Sequence, residues 1–295
     1  MPARLSDGGQ VLRPARAALA ALGAAAVLLA ATPARAVGLE FRALAGEGLG
    51  YAALPREGAI FHLVRVDLAR HPIRVADARR PGRRAATVDQ LGREAGALVA
   101  VNGTFFDEEY RPLGLVVSGA RELNPLRIVS WWAALVVRER APLGAEILTT
   151  AQLAALPDDE RAGFAAALQC GPRTVSGGQA LKLKEQSASR TAVCVLDSTH
   201  LLLIATEGSA VESNDLAAFM AAPLAEGGLA CGAGLMFDGG PSTQMWIQTP
   251  DFELNVRGGW GVPNALVVLP AAPISAPRPV PAAAPVPAAA PPRRP

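Results

Sequence analysis

Three short segments concentrate residues that could do chemistry. In Leu235-Met236-Phe237-Asp238-Gly239-Gly240-Pro241-Ser242-Thr243, an apolar run delivers a carboxylate at its end. Gly239 and Gly240 let the backbone approach a ligand closely and aim N–H groups at it. Ser242 and Thr243 add hydroxyls, while Pro241 removes one N–H donor from the turn. In Val101-Asn102-Gly103-Thr104-Phe105-Phe106-Asp107, an apolar run stops at a carboxamide and a glycine, with a second carboxylate soon after. The third segment joins Gln169-Cys170-Gly171-Pro172-Arg173-Thr174-Val175 to Ser189-Arg190-Thr191-Ala192. Arg190 enters an otherwise apolar strand, where a guanidinium is costly unless paired. Such a fork suits bidentate recognition of phosphate or carboxylate. Each segment also has an ordinary structural reading: a tight strand-end turn for the first two, an Arg–Asp pair for Arg190, and a solvent-facing side chain for Arg173.

These segments need strands to deliver them. Ile60 to Leu68 alternates and is rich in β-branched residues, which predicts a strand; Ile73 to Ala76 predicts a second. Ala97 to Val101, Leu113 to Val117, Trp132 to Val137 and Ala145 to Leu148 read as further strands. Ala192 to Leu196 and Leu201 to Thr206 predict a hairpin about Asp197-Ser198-Thr199. Leu235–Phe237, Thr243–Ile247 and Ala265–Leu269 complete the strands. Thr87 to Ala95 has helical spacing with Thr87 as N-cap, and 150–168 reads as two helical pieces broken at Pro157. Ser213 to Ala225 is an amphipathic helix with Ser213 as N-cap. Strands outnumber helices without regular strand–helix alternation, which predicts an α+β single domain: one large mixed β-sheet with a few packed helices.

Composition bounds the setting. Residues 1–36 run from arginines through an apolar stretch, Ala17 to Ala31, to Ala34-Arg35-Ala36. That is the order of a secretory signal peptide, and the apolar stretch is short for a membrane span. From 270 to 295 the chain is nearly all Pro and Ala, which predicts a disordered tail. The folded domain is therefore expected over 37–269, periplasmic or secreted, with no stable membrane span after leader cleavage. The leader holds four Arg and one Asp. Its loss takes the chain from 28 basic and 26 acidic side chains to 24 and 25, and the net charge from +2 to −1. A near-neutral chain has no electrostatic footprint for nucleic acid. Three cysteines permit at most one bridge. Cys194 reads as a buried small hydrophobe, and Cys170 with Cys231 is the candidate pair.

The ordered set NGTFFD, QCGPRTV, SRTAVCVLD, LMFDGGPST and PNALVV (Pro263–Val268) resembles the phosphodiester glycosidase domain family over about Val64 to Leu269. The resemblance implies hydrolysis of a sugar-1-phosphodiester at the glycosidic carbon, on a sugar-phosphate or envelope polysaccharide substrate; no cofactor and no metal are expected. It implies that Asp238 stabilises or attacks the sugar carbon. Arg190 and Asn102, with the backbone of Gly239 and Gly240, would bind the phosphate. Asp107 would be a second carboxylate or a turn residue, and Ser242 would position substrate. Gly103, Thr243 and Arg173 complete the expected substrate-binding set.

Other chemistries remain open on the residues alone. His62, His71 and His200 lack paired ligand spacing for zinc, but Asn102, Asp107 and Asp238 could offer oxygens to Ca²⁺ or Mg²⁺. A nucleophilic Cys170 would need a nearby histidine base. A non-catalytic glycan-binding or envelope scaffold protein could stack sugars on Trp131, Trp132, Trp246 or Trp260.

Overall fold

The computed structural model of the chain describes residues 39–139 and 143–271. The expected leader, and the expected tail from residue 272 onward, lie outside the described residues. The alternating, β-branched runs become strands, and they divide among sheets rather than forming one. Eight strands pair in the order Arg42–Ala43, Leu49–Arg56, Ala59–Asp67, His200–Gly208, Thr191–Val195, Ala233–Met236, Arg173–Ser176, Gln179–Ala180. A five-stranded sheet runs Arg121–Asn124, Val116–Ser118, Ala166–Cys170, Ala133–Arg138, Gly144–Thr149. Another runs Phe252–Val256, Met245–Thr249, Val99–Asn102, Asn264–Val268, Ile73–Asp77, and Ser187–Ala188 pairs separately with Val211–Glu212.

The inner faces of the three larger sheets share one apolar core. Val193, Leu203 and Leu235 come from the first, Leu135 and Leu168 from the second, and Val101, Ile247 and Leu266 from the third. The two-residue period of a strand sends the intervening side chains outward, where helices cover them. Leu202, Ile204 and Ala192 meet Leu216, Phe219 and Met220 of the helix Ser213–Ala221. Ala100, Trp246 and Val267 meet Val88 and Leu91 of the helix Val88–Glu94. Ala134, Val136 and Ala167 meet Leu153 of the helix Thr150–Ala155. Each fully buried large side chain contributes roughly 1.5–3 kcal/mol. Among the described residues, no helix is long and apolar enough to cross a membrane.

An α+β domain with few helices is what the strand and helix content predicts. The expected large mixed sheet is corrected in form: the strands form several sheets, and every strand pair is antiparallel. Ala166–Cys170, whose first three residues fall in the stretch 150–168 read as helical, is a fully buried strand at the centre of a sheet. Alanine favours helices by intrinsic propensity, but burial between two strands overrides it. The helix expected to reach Ala225 stops at Ala221 before Pro223, and Glu212 rather than Ser213 is its N-cap. Thr87 is the N-cap of its helix as the sequence predicts.

The bridge differs from the expected pair. Cys194 is bonded to Cys231, and Cys170 is the free, buried thiol. Cys194 is buried as a small apolar side chain would be, but its outward-facing position on Thr191–Val195 brings it to the loop ahead of Ala233–Met236.

Candidate functional site

Strand register brings the two charged residues together. Thr191–Val195 lies antiparallel to Ala233–Met236, with Ala192 opposite Met236. The ladder continues past the sheet end: Phe237 N donates to Thr191 O at 2.9 Å, and Gly240 N to Ser189 O at 2.8 Å. Arg190 and Asp238 therefore leave the sheet at the same end.

Asn102, at the end of Val99–Asn102, ties that end to the neighbouring sheet. Its Oδ1 accepts from Thr191 Oγ1 at 2.7 Å and from Gln244 N at 3.0 Å, while its Nδ2 donates to Asp238 O at 2.7 Å. Asp238 N returns a bond to Gly103 O at 3.0 Å. Gly103 must lack a side chain, because a Cβ there would lie 2.0 Å from Asn264 Oδ1. Asn264 in turn grips Thr104, accepting from its N–H at 3.0 Å and donating to its hydroxyl at 2.9 Å. Asn102 is fully buried and its amide is committed to protein partners. It holds Asp238 from behind, which corrects its expected role as a phosphate ligand.

The Gly-rich turn is also different in use from the expectation. Gly240 takes φ +58°, a conformation that glycine adopts without strain. Its N–H goes to Ser189, Ser242 N goes to Gly239 O at 3.2 Å, and Thr243 N goes to Gly240 O at 3.1 Å. Pro241 has none. The turn thus presents the Asp238 carboxyl, and the Gly240 amide is not a free phosphate donor. Burial raises the Asp238 carboxyl above the usual carboxylate range, and the Ser242 hydroxyl and Gly239 N–H partly offset that. Ser242 Oγ lies near the carboxylate but makes no hydrogen bond of normal geometry, and Thr243 Oγ1 is likewise buried without a partner.

Arg190 is 6% exposed. Its Nε donates to Val211 O at 2.9 Å and its Nη2 to Gln186 O. Burial lowers its affinity for the proton and the nearby Glu212 carboxylate raises it. A guanidinium stays charged under such pressures. Nη1 has no hydrogen-bond partner among the described residues.

Asp238, Arg190, Gly239, Gly240 and Pro241 line one cavity of about 660 Å³. Phe105 and Trp131 form an aromatic wall, their ring centroids 6.5 Å apart. The cavity is also lined by a strap that contributes Lys182, Leu183, Lys184, Gln186 and Ala188. The strap is pinned by the start of the helix Ser213–Ala221: Leu183 N to Asn214 Oδ1 at 2.8 Å, Ser213 Oγ to Lys184 O at 2.7 Å, and Gln186 N to Glu212 Oε1 at 3.1 Å. Burial alone would raise the Glu212 carboxyl, but bonds from Ser213, Gln186, Asn214 and Asp215 outweigh it and bring it down to about 2.

The remaining candidates lie elsewhere. Asp107 closes its own loop: its carboxylate accepts from Glu109 N at 3.0 Å, Arg111 N at 2.8 Å and Arg111 Nε at 2.7 Å. The carboxylate is thus engaged within the loop it closes. Arg173 does not line the cavity, and Thr243 faces a smaller hollow behind the turn with Glu207 and Arg257. Asn102, Asp107 and Asp238 therefore do not gather their oxygens around one point. Cys170 is fully buried; burial foremost, then the Asp238 charge, pushes its thiol well above the ordinary range. No histidine lines the cavity among the described residues. Of the tryptophans, Trp132 and Trp246 are core, Trp131 is at the cavity, and Trp260 is exposed away from it.

Sequence reasoning passed over the strap and Phe105. The strap has no apolar periodicity, yet it carries both lysines of the chain, Lys182 and Lys184. That composition signal was available.

A family model described as phosphodiester glycosidase matches residues 95–269. No curated protein sequence matches the chain. Among solved structures, the fold is similar to the catalytic domain of zebrafish N-acetylglucosamine-1-phosphodiester alpha-N-acetylglucosaminidase, auto-inhibited by its pro-peptide. That likeness has a TM-score of 0.57 and 16% identity, and covers 78% of this chain and 87% of that one. A hypothetical protein from Synechocystis has a TM-score of 0.51 and 15% identity, over 75% of this chain and 62% of that one. A Burkholderia pseudomallei protein described as exported has a TM-score of 0.51 and 13% identity, over 75% and 76%.

Proposed function

Since the chain belongs to the phosphodiester glycosidase family, we propose that it hydrolyses a sugar-1-phosphodiester at the anomeric carbon. The observation that carries this reading is that the Asp238 carboxylate and Arg190 line one aromatic-walled cavity. In the proposed reaction the bond from the anomeric carbon to the phosphate oxygen breaks, and its electron pair stays on the phosphate. Water supplies the oxygen that ends on the sugar as a hemiacetal. The phosphate remains on the second alcohol as a monoester.

The chemistry of the leaving group suits a site with one carboxylate. A phosphate monoester is a stabilised anion, with a second pKa of about 6. It needs less protonation on departure than an ordinary alcohol, for which glycosidases use two carboxylates. Asp238 stabilises the developing positive charge on the sugar carbon or attacks it. Arg190 holds the phosphate through the N–H groups not committed to Val211 and Gln186. Asn102 and Gly103 fix the Asp238 backbone, Ser242 favours its ionised form, and Trp131 with Phe105 packs against the sugar. Asp107, Arg173 and Thr243 have no part in the reaction.

Export belongs to the same reading. The leader-like sequence of 1–36 supports it, and so does a disulfide, which persists in oxidising compartments. The substrate is then an envelope or extracellular glycan. Incubation with a panel of sugar-1-phosphodiesters tests the function. Free sugar and a phosphate monoester should appear in equal amounts, and Asp238→Asn should reduce kcat/KM about a thousandfold, the scale on which a transition-state stabiliser acts. Full activity in that variant overturns the assignment. The rival reading is a glycan-binding protein, favoured by the single carboxylate in the cavity; retention of a glycan with no sugar released decides for it.

A further inference from the structure

The chain has 28 basic side chains, and only Lys182 and Lys184 are lysines. Both line the cavity of the candidate site. Neither ammonium has a hydrogen bond or a carboxylate at ion-pair distance among the described residues. The backbone that carries them is nevertheless fixed. Leu183, between them, packs against the apolar cluster around the helix Ser213–Ala221, and both its N–H and its carbonyl engage the Asn214 amide. Lys184 O accepts from Ser213 Oγ. Two unpaired cations are thus presented from an anchored strap. Lysine differs from arginine here: it is a compact charge on a flexible stem, suited to an anion whose position varies.

The charges in the cavity exceed what one phosphodiester requires. Such a diester carries a single negative charge, whereas three cations, Arg190, Lys182 and Lys184, line the cavity. Asp238 is the only carboxylate lining the cavity among the described residues. Set against Asp238 and the diester, these three cations leave one positive charge unanswered, and neither lysine has a carboxylate at ion-pair distance among the described residues. A phosphate monoester carries about −1.5 to −2 at neutral pH, enough to answer that remaining charge. We propose that Lys182 and Lys184 form a second anion subsite, and that the substrate carries a further phosphate on the alcohol side of the scissile diester. This rests on the phosphodiester glycosidase reading for its catalytic half; the subsite itself is testable by binding alone.

Two measurements test it. Reductive methylation with ¹³C-formaldehyde keeps the lysine charge and labels these two side chains and the amino terminus. With K182Q and K184Q used to assign the signals, both lysine resonances should shift saturably with inorganic pyrophosphate at constant ionic strength. Half-saturation should come at least tenfold lower than with orthophosphate. Non-saturating shifts, or equal response to both anions, overturn the subsite whatever the protein hydrolyses. The second measurement compares sugar-1-phosphodiesters whose alcohol is neutral, bears a phosphate monoester, or bears a methyl phosphodiester. The wild type should favour the charged alcohols at least tenfold in kcat/KM, and in K182Q/K184Q that ratio should fall below threefold. The better of the two charged alcohols distinguishes a phosphorylated glycan from a polymer linked by phosphodiesters. An unchanged ratio in the variant, or none in the wild type, overturns the substrate assignment. If no sugar phosphodiester is cleaved at all, the hydrolase reading fails, and the pyrophosphate titration still decides the subsite.

Discussion

The carboxyl of Asp238 sits where burial opposes its ionisation, and only the Ser242 hydroxyl and Gly239 N–H favour its charge. Ionised, it costs the folded state; protonated, it cannot stabilise a cationic carbon. An unfolded aspartate titrates near about 3.9. Below that, both states are neutral and the residue has no net effect on stability. As pH rises through the raised folded value, the folded state loses stability relative to the unfolded one. Asp238→Asn should therefore melt higher than the wild type near neutral pH, by roughly 2–4 °C per kcal/mol relieved. The gain should vanish as pH falls to about 4. Differential scanning calorimetry across pH checks this, and equal Tm values at every pH would contradict it. The acid limb of kcat/KM should lie above the ordinary carboxylate range for the same reason. Asn102 behaves oppously in stability: Asn102→Ala leaves the Asp238 carbonyl, the Gln244 N–H and the Thr191 hydroxyl without their partner. Each unsatisfied buried group costs about 1–3 kcal/mol, so urea denaturation should register a loss of about 3 kcal/mol or more. Asp238 and Arg190 were legible as candidate site residues because a charge at an apolar strand end is out of place. What Asn102 touches was not legible, because its partners lie 89, 136 and 142 positions away in sequence.

At the scale of elements, the cavity depends on a segment with little regular structure, its end paired as the strand Ser187–Ala188, being held still. The strap around Lys182–Ala188 is clipped by Ser213, Asn214 and Glu212, which also begin the helix Ser213–Ala221. Asn214→Ala removes both bonds to Leu183, and Ser213→Ala removes the one to Lys184. The double variant should speed hydrogen exchange over 181–188 while the strand Thr191–Val195 stays protected. With a cleaved substrate in hand, KM should rise about tenfold, equivalent to 1.4 kcal/mol, with kcat changing much less. Unaltered exchange in the strap would show that the clips do not hold it. The sequence revealed the helix through its apolar spacing, and missed the strap because hydrogen bonds from side chains to backbone leave no periodic trace. Ala166–Cys170 was missed for a related reason. Five residues, Ala-Ala-Leu-Gln-Cys, fit either secondary structure, and only the flanking strands decide between them.

In the whole molecule, three antiparallel sheets share one core, and the site lies where Thr191–Val195, Ala233–Met236 and Val99–Asn102 end together. The Cys194–Cys231 bridge acts on that junction. It fixes Thr191–Val195, which leads from Arg190, to the loop entering Ala233–Met236, which leads to Asp238. The two cysteines are 37 residues apart in sequence, and closing a loop of that size in the unfolded chain stabilises the fold by about 2–4 kcal/mol. Both cysteines are at most 1% exposed, so a reductant reaches the bond only when the structure opens. Cys194→Ala/Cys231→Ala should therefore lower the melting temperature. Reductant alone should leave the native protein's melting curve unchanged at short times and lower it after exposure in denaturant. Cys170 is buried beneath Asp238, and should resist thiol reagents until the same opening occurs. Rapid native labelling of Cys170 would mean that the core under the site is open to solvent. The bridge and the shared core would then not be what holds Arg190 and Asp238 at one sheet end.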